Sequence, residues 1–199
     1  TKEERRRMSS TIERTTSETS VSVSLDVAAG GGEKSDIRIP CGFLGHMLEL
    51  FAFHGDLHLS VQAKGDTNVD AHHVTEDIAI CLGRAFFEEW SSTARARYGW
   101  CALPMDGSCA LVSVDLSGRG GFHFDDTFPS PRCGDFDMEL IPEFWHAFAR
   151  EARATIHASF VAKDNSHHMA EALFKAMAHA LRQALVPSET TSTTKGVLL

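Results

Sequence analysis

The chain has 199 residues, 43% of them apolar and 23% charged, enough for one domain or two small halves around a true core. Its formal net charge of −8 argues against a general nucleic-acid or membrane-surface binder, and no stretch approaches the roughly 20 apolar residues of a membrane span. Five cysteines without a C-x-x-C pair read as reduced thiols, as in a cytoplasmic protein.

In chain order, residues 1–13 read as a disordered arm. The Ser/Thr/Glu/Arg-rich start to Ser20 fits an irregular arm, an expression remnant or the stub of a targeting peptide, so an organellar (plastid) form stays open. Alternation through Val21, Val23, Leu25 and Val27 predicts a half-buried strand. Gly30-Gly31-Gly32 turns the chain toward a short strand at Ile37–Ile39, stopped by Pro40. Gly42–Phe53 reads as a helix, Leu57–Ala63 as a strand and Lys64–Asp70 as a polar loop. A helix to about Trp90 follows. The same order then returns: strands at Cys109–Leu116 and Gly121–Phe124, a helix from Asp135 to about Glu151, a strand at Thr155–Val161 and a helix at Ser166–Leu185. The expected fold is α+β: two ββαβα halves, residues 14–95 and 96–199, whose two mixed sheets enclose a layer of helices.

Each half carries one copy of a short pattern, Asp70-Ala71-His72-His73-Val74-Thr75-Glu76 and Asn165-Ser166-His167-His168-Met169-Ala170-Glu171. Residues three or four apart share a helix face, so His72 can converge with Glu76, and His167 with Glu171. Adjacent histidines project about 100° apart and cannot easily hold one ion. Two such pairs suggest two metals served by both helices, and imidazole plus carboxylate suits Mn, Fe or Zn. A single His-His pair is more often a helix N-terminus or a solvated face; two copies in matched context favour metal.

Six segments carry a resemblance to the imidazoleglycerol-phosphate dehydratase family of histidine biosynthesis. They are Gly42-Phe43-Leu44-Gly45-His46-Met47-Leu48, the two His-His helices, Val114-Asp115-Leu116-Ser117-Gly118-Arg119, Gly134-Asp135-Phe136-Asp137 and Thr194-Lys195-Gly196-Val197-Leu198. The resemblance covers nearly the whole chain. It implies a fold like the second domain of a small-subunit ribosomal protein, and loss of water from imidazole glycerol phosphate. It also implies two Mn²⁺ per active site, held by His46, His72, His73, Glu76, Glu143, His167, His168 and Glu171. Glu143 stands where histidine is expected in many members. Glu18 resembles the catalytic acid/base, with Glu171 a second candidate. Arg97, Arg119, Lys175, Thr193, Thr194 and Lys195 match phosphate-contacting positions, Glu18 would also touch substrate, and His54 lies at a position near the active site. Members assemble as homo-oligomers of 24 subunits, with active sites between subunits. Gly45 replaces the usual aspartate before the metal-binding His46, a loss expected to weaken metal binding. Gly107 replaces a usual glutamate. Competing readings are a dinuclear phosphoesterase and a non-catalytic, metal-stabilised assembly protein.

Overall fold

A computed structural model describes residues 10–27 and 35–189. The first half contains β1 (Ser10–Thr15), β2 (Thr19–Asp26), β3 (Asp36–Arg38), α1 (Gly42–Gly55), β4 (His58–Gly65) and α2 (His72–Ser91). The second contains β5 (Tyr98–Met105), β6 (Ser108–Asp115), β7 (Gly121–His123), a small hairpin β8–β9 (Arg132–Cys133, Phe136–Asp137), α3 (Leu140–Glu151), β10 (Thr155–Ala162) and α4 (Ser166–Ala184).

The two sheets have one topology. In the first the order is β1-β2-β4-β3, and in the second β5-β6-β10-β7; the last strand of each is parallel to its neighbour and the others are antiparallel. Val21, Val23 and Leu25 face Ala63, Val61 and Leu59 in register, and all six are buried. Period-2 alternation therefore turns one face of each sheet inward. Helices cover that face: α1 and α2 on the first sheet, α3 and α4 on the second. Helices of opposite halves then pack in pairs, α1 against α4 and α2 against α3, giving a sheet–helix–helix–sheet sandwich. Aromatic rings from all four helices meet at its centre. Phe51 lies 6.0 Å from Phe86 and 5.7 Å from Trp145, and Trp145 lies 4.7 Å from Phe174. Among the described residues no helix is long and apolar enough to cross a membrane.

The structure corrects the sequence reading in two places. Each half opens with a strand that periodicity missed, so residues 10–13 lie in β1 rather than in an irregular arm, and β5 precedes β6. Both are edge strands. β1 is never fully buried, and β5 carries Gly99 and Pro104, which depress any strand signal. The helix expected from Asp135 begins at Leu140, because residues 132–137 form the β8–β9 hairpin.

Candidate metal centre and active site

Both His-His pairs stand at helix N-termini, where exposed backbone N–H groups need acceptors. The Asp70 carboxylate accepts from the His72 N–H at 2.7 Å, and the Asn165 side chain accepts from the His168 N–H at 2.9 Å. These caps place each pair on the first turn. The rings within each pair stand apart, with centroids 6.0 Å apart for His72 and His73 and 6.2 Å for His167 and His168.

Packing of α1 on α4 builds the first cluster. His167 Nε2 lies 2.9 Å and His46 Nε2 3.3 Å from Glu171 Oε1. The two imidazoles are exposed, while Glu171 is only 8% exposed. Burial alone would raise the Glu171 pKa. Hydrogen bonds from Lys175, His167 and His46 outweigh it and hold the carboxyl down at about 2. Such a group is a permanent anion at neutral pH. That favours Glu171 as a ligand over Glu171 as a proton shuttle. One ligand atom from each of these three residues lies within 4.8 Å of the others. Two neutral-nitrogen donors and one ionised carboxylate fit a borderline divalent ion.

A second cluster forms where the β1–β2 turn meets the start of α2. His73 Nδ1 lies 2.9 Å from Asp66 Oδ2 and 3.7 Å from Glu18 Oε2. The Asp66 hydrogen bond raises the His73 pKa, with Glu18 adding to it and desolvation opposing. Glu18 rides a tight turn in which Thr16 Oγ1 accepts from the N–H groups of Glu18 and Thr19. That turn is tied to α2 through buried Asp77, which accepts from Thr19 Oγ1 and from Arg14 Nε at 2.7 Å. Gly65 permits the close approach: a Cβ there would strike Val74 of α2 and crowd the Glu18 carbonyl.

Among the described residues, His72, Glu76, Glu143 and His168 join neither three-residue cluster. Glu76 faces Arg150 at 3.9 Å. His168 Nδ1 lies 3.1 Å from Asp164, and its Nε2 lies 3.4 Å from Asp106. Glu143 sits half-buried on α3.

The cations differ in how committed they are. Arg97 forms a two-pronged pair with Asp115, at 2.6 and 3.1 Å. Lys175 lies 2.6 Å from Glu171 and 3.2 Å from the Met105 sulfur. Arg119 is exposed, and its guanidinium has no ion pair among the described residues. His54 lies 5.4 Å from His179 with the rings tilted by 60°; desolvation, then the nearby His179 and Lys175, lowers its pKa. Thr193, Thr194 and Lys195 lie outside the described residues. Sequence reasoning missed Asp66, Asp77 and Asp164, because no periodicity or motif marks a carboxylate whose role depends on loop path.

The family model described as imidazoleglycerol-phosphate dehydratase matches residues 40–181. Among curated proteins, the imidazoleglycerol-phosphate dehydratase of Clostridium novyi is 43% identical over 189 residues, covering 93% of this chain and 95% of that protein. The one from Geobacillus kaustophilus is 46% identical over 174 residues, covering 87% and 88%. The Staphylococcus aureus enzyme structure superposes with a TM-score of 0.82 at 38% identity, over 91% of this chain and all of that one. For the Pyrococcus furiosus enzyme the TM-score is 0.83 at 37% identity, over 94% of this chain and 100% of that one.

Proposed function

This chain belongs to the imidazoleglycerol-phosphate dehydratase family, and from that membership we propose how its own residues serve the reaction. The protein is a metal-dependent carbon–oxygen lyase of histidine biosynthesis, removing water from imidazole glycerol phosphate to give imidazole acetol phosphate. None of these relatives favours a phosphoesterase or a passive assembly protein.

His46, His72, His73, Glu76, Glu143, His167, His168 and Glu171 would hold two Mn²⁺ ions per active site. Bound there, the ions would supply Lewis acidity that draws charge from the substrate's imidazole ring as its C–H bond breaks. Glu18 takes the carbon-bound proton and, once protonated, returns a proton to the departing hydroxyl, which leaves as water. An exposed carboxylate 3.7 Å from His73, on a turn fastened to α2, supports that assignment. It couples the base to the metal helix while leaving it free to meet substrate. Arg119 with Lys195, Thr193 and Thr194 grips the phosphate, Arg97 and Lys175 complete its cationic surround, and His54 borders the site. Glu171 stays ionised throughout and serves as ligand.

Among the described residues of one chain the eight proposed ligands divide: His46, His167 and Glu171 gather in one cluster, His73 stands in the other, and the remaining four join neither. That division supports active sites completed between subunits of a homo-oligomer of 24 chains. A cytoplasmic setting agrees with the bacterial relatives and the five free thiols. The observation that carries the reading is the convergence of His46, His167 and Glu171 from helices of opposite halves. Water loss from imidazole glycerol phosphate, followed with Mn²⁺ added and then chelated, tests it. Metal-dependent formation of the acetol phosphate is expected; release of inorganic phosphate instead would overturn it.

A further inference from the structure

The connection from the strand before each metal helix, β4 in the first half and β10 in the second, supplies one carboxylate close to Nδ1 of the second histidine. In the first half Asp66 Oδ2 lies 2.9 Å from His73 Nδ1. In the second, Asp164 Oδ2 lies 3.1 Å from His168 Nδ1. The loops differ in length and sequence, Asp66 standing seven residues before its histidine and Asp164 four. The geometry is thus repeated without being copied. We propose that Asp66 and Asp164 are positioning residues: each fixes its histidine through Nδ1–H, so that Nε2 is unprotonated and aimed for a divalent metal. The inference rests on the reading of His73 and His168 as ligands.

The proton assignment follows from the neighbours. A carboxylate oxygen accepts only, so His73 Nδ1, facing Asp66, donates. At His168, Asn165 Nδ2 also lies 2.8 Å from Nδ1 and 3.3 Å from Asp164 Oδ2. The Asn165 amide donates to Asp164 and faces Nδ1 as a second donor; once a metal takes Nε2 the ring proton stands on Nδ1, and Asp164 is then the acceptor that holds ring and cap together. With Nδ1 carrying the proton, Nε2 keeps its lone pair, and the carboxylate raises its basicity. Asp106, near that Nε2 at 3.4 Å, is 69% exposed on a hairpin turn. Glu18, 3.7 Å from His73 Nδ1, is too distant to replace Asp66 in a hydrogen bond.

Gly107 has a part in the same arrangement. A Cβ at residue 107 would stand 2.9 Å from Asp164 Cβ and 3.1 Å from its Oδ2. The Asp164 N–H donates to Ser108 Oγ at 3.2 Å, which holds the loop against this hairpin. The absent side chain is therefore the space that Asp164 fills while it holds His168.

The test is a Mn²⁺ titration of metal-stripped full-length protein against a competing chelator, with thermal unfolding of the stripped protein measured in parallel. Asp66→Ala and Asp164→Ala should each weaken Mn²⁺ binding about 10–100-fold with little change in unfolding temperature. Asp66→Asn and Asp164→Asn, which keep an acceptor oxygen, should fall between these and the parent. Gly107→Ala should weaken binding in the parent but add nothing in the Asp164→Ala background, since both act through one contact. Unchanged Mn²⁺ affinity in both alanine variants overturns the proposal, as does an affinity loss matched by collapse of the stripped fold. Controls with His73→Ala and His168→Ala separate the two layers. If these leave Mn²⁺ binding intact, the ligand reading fails and the positioning role with it. If they abolish binding while the aspartate variants do not, only the positioning role fails.

Discussion

At the scale of single residues, the structure separates groups that sequence spacing treats alike. Glu18 and Glu171 both qualify as acid/base candidates by residue type. Burial would raise the Glu171 pKa, but hydrogen bonds from Lys175, His167 and His46 outweigh it and keep the carboxyl ionised, whereas Glu18 is exposed on a turn beside His73. Glu18→Gln should therefore lower kcat by roughly 10²–10⁴ while Mn²⁺ content and assembly stay normal. Near-normal turnover would remove Glu18 as the base, and loss of metal would make it a ligand. Arg119 has no ion pair among the described residues, unlike Arg97, which is held by Asp115. Arg119→Ala should accordingly raise KM by roughly 10–100-fold, the loss of one charge-assisted contact. An unchanged KM would take it out of the phosphate site. Cys81 is fully buried, and burial pushes its thiol up to about 11. It should resist alkylation at neutral pH in the folded enzyme.

At the scale of elements, helix starts and helix interiors respond in opposite ways. Asn165 caps α4, and its side chain also lies beside His168. Asn165→Ala should cost about 1 kcal/mol in a denaturant titration of metal-stripped protein. A stability equal to the parent's would show that the cap is replaced by water. Gly45 sits inside α1, and a Cβ there would meet Ile39 and Ile37 at 3.7–3.9 Å, an ordinary contact. Nothing in the packing demands glycine. Gly45→Ala should stabilise the stripped protein by about 0.5–1 kcal/mol; a lower unfolding temperature would reveal a crowding that these contacts do not contain.

For the whole molecule, protons act on the contacts that join the halves, and on the proposed reading metal acts there too. His46 lies 125 residues before Glu171, so the first cluster bridges α1 of one half and α4 of the other. Binding there is linked to the folded, joined state. Chelation should reduce both activity and particle size, and Mn²⁺ should restore them; full size and full activity after chelation would contradict this. Acid has a defined sign in the stripped protein. The folded Glu171 pKa is about 2 against an ordinary value of 4.5, so its contribution is present above pH 4.5 and is lost as pH falls toward 2. An unfolding midpoint that falls less between pH 5 and 2.5 in a Glu171→Gln variant than in the parent is the expected comparison, because Asp137 and Glu151, also held low, titrate in both.

The duplicated order of elements, the two inward sheet faces and the paired His-His-x-x-Glu helices follow from local rules, period 2 on strands and 3.6 on helices. They were legible in the chain before any contact was known. Edge strands β1 and β5 escaped because exposure alternates along them but polarity does not: Arg14 takes an inward position in β1, and Tyr98 and Trp100 face outward in β5. The site divides in the same way. Chain spacing brings His167 to Glu171, one helical turn apart, but only the packing of α1 on α4 brings His46 to them. Spacing on the same helix likewise brings Lys175 to Glu171, whereas only loop paths carry Asp66 to His73 and Glu18 to the same ring. Short-range geometry is written in residue order. Convergence across the sandwich is decided by which apolar faces bury one another, and the chemistry of this protein depends on that convergence.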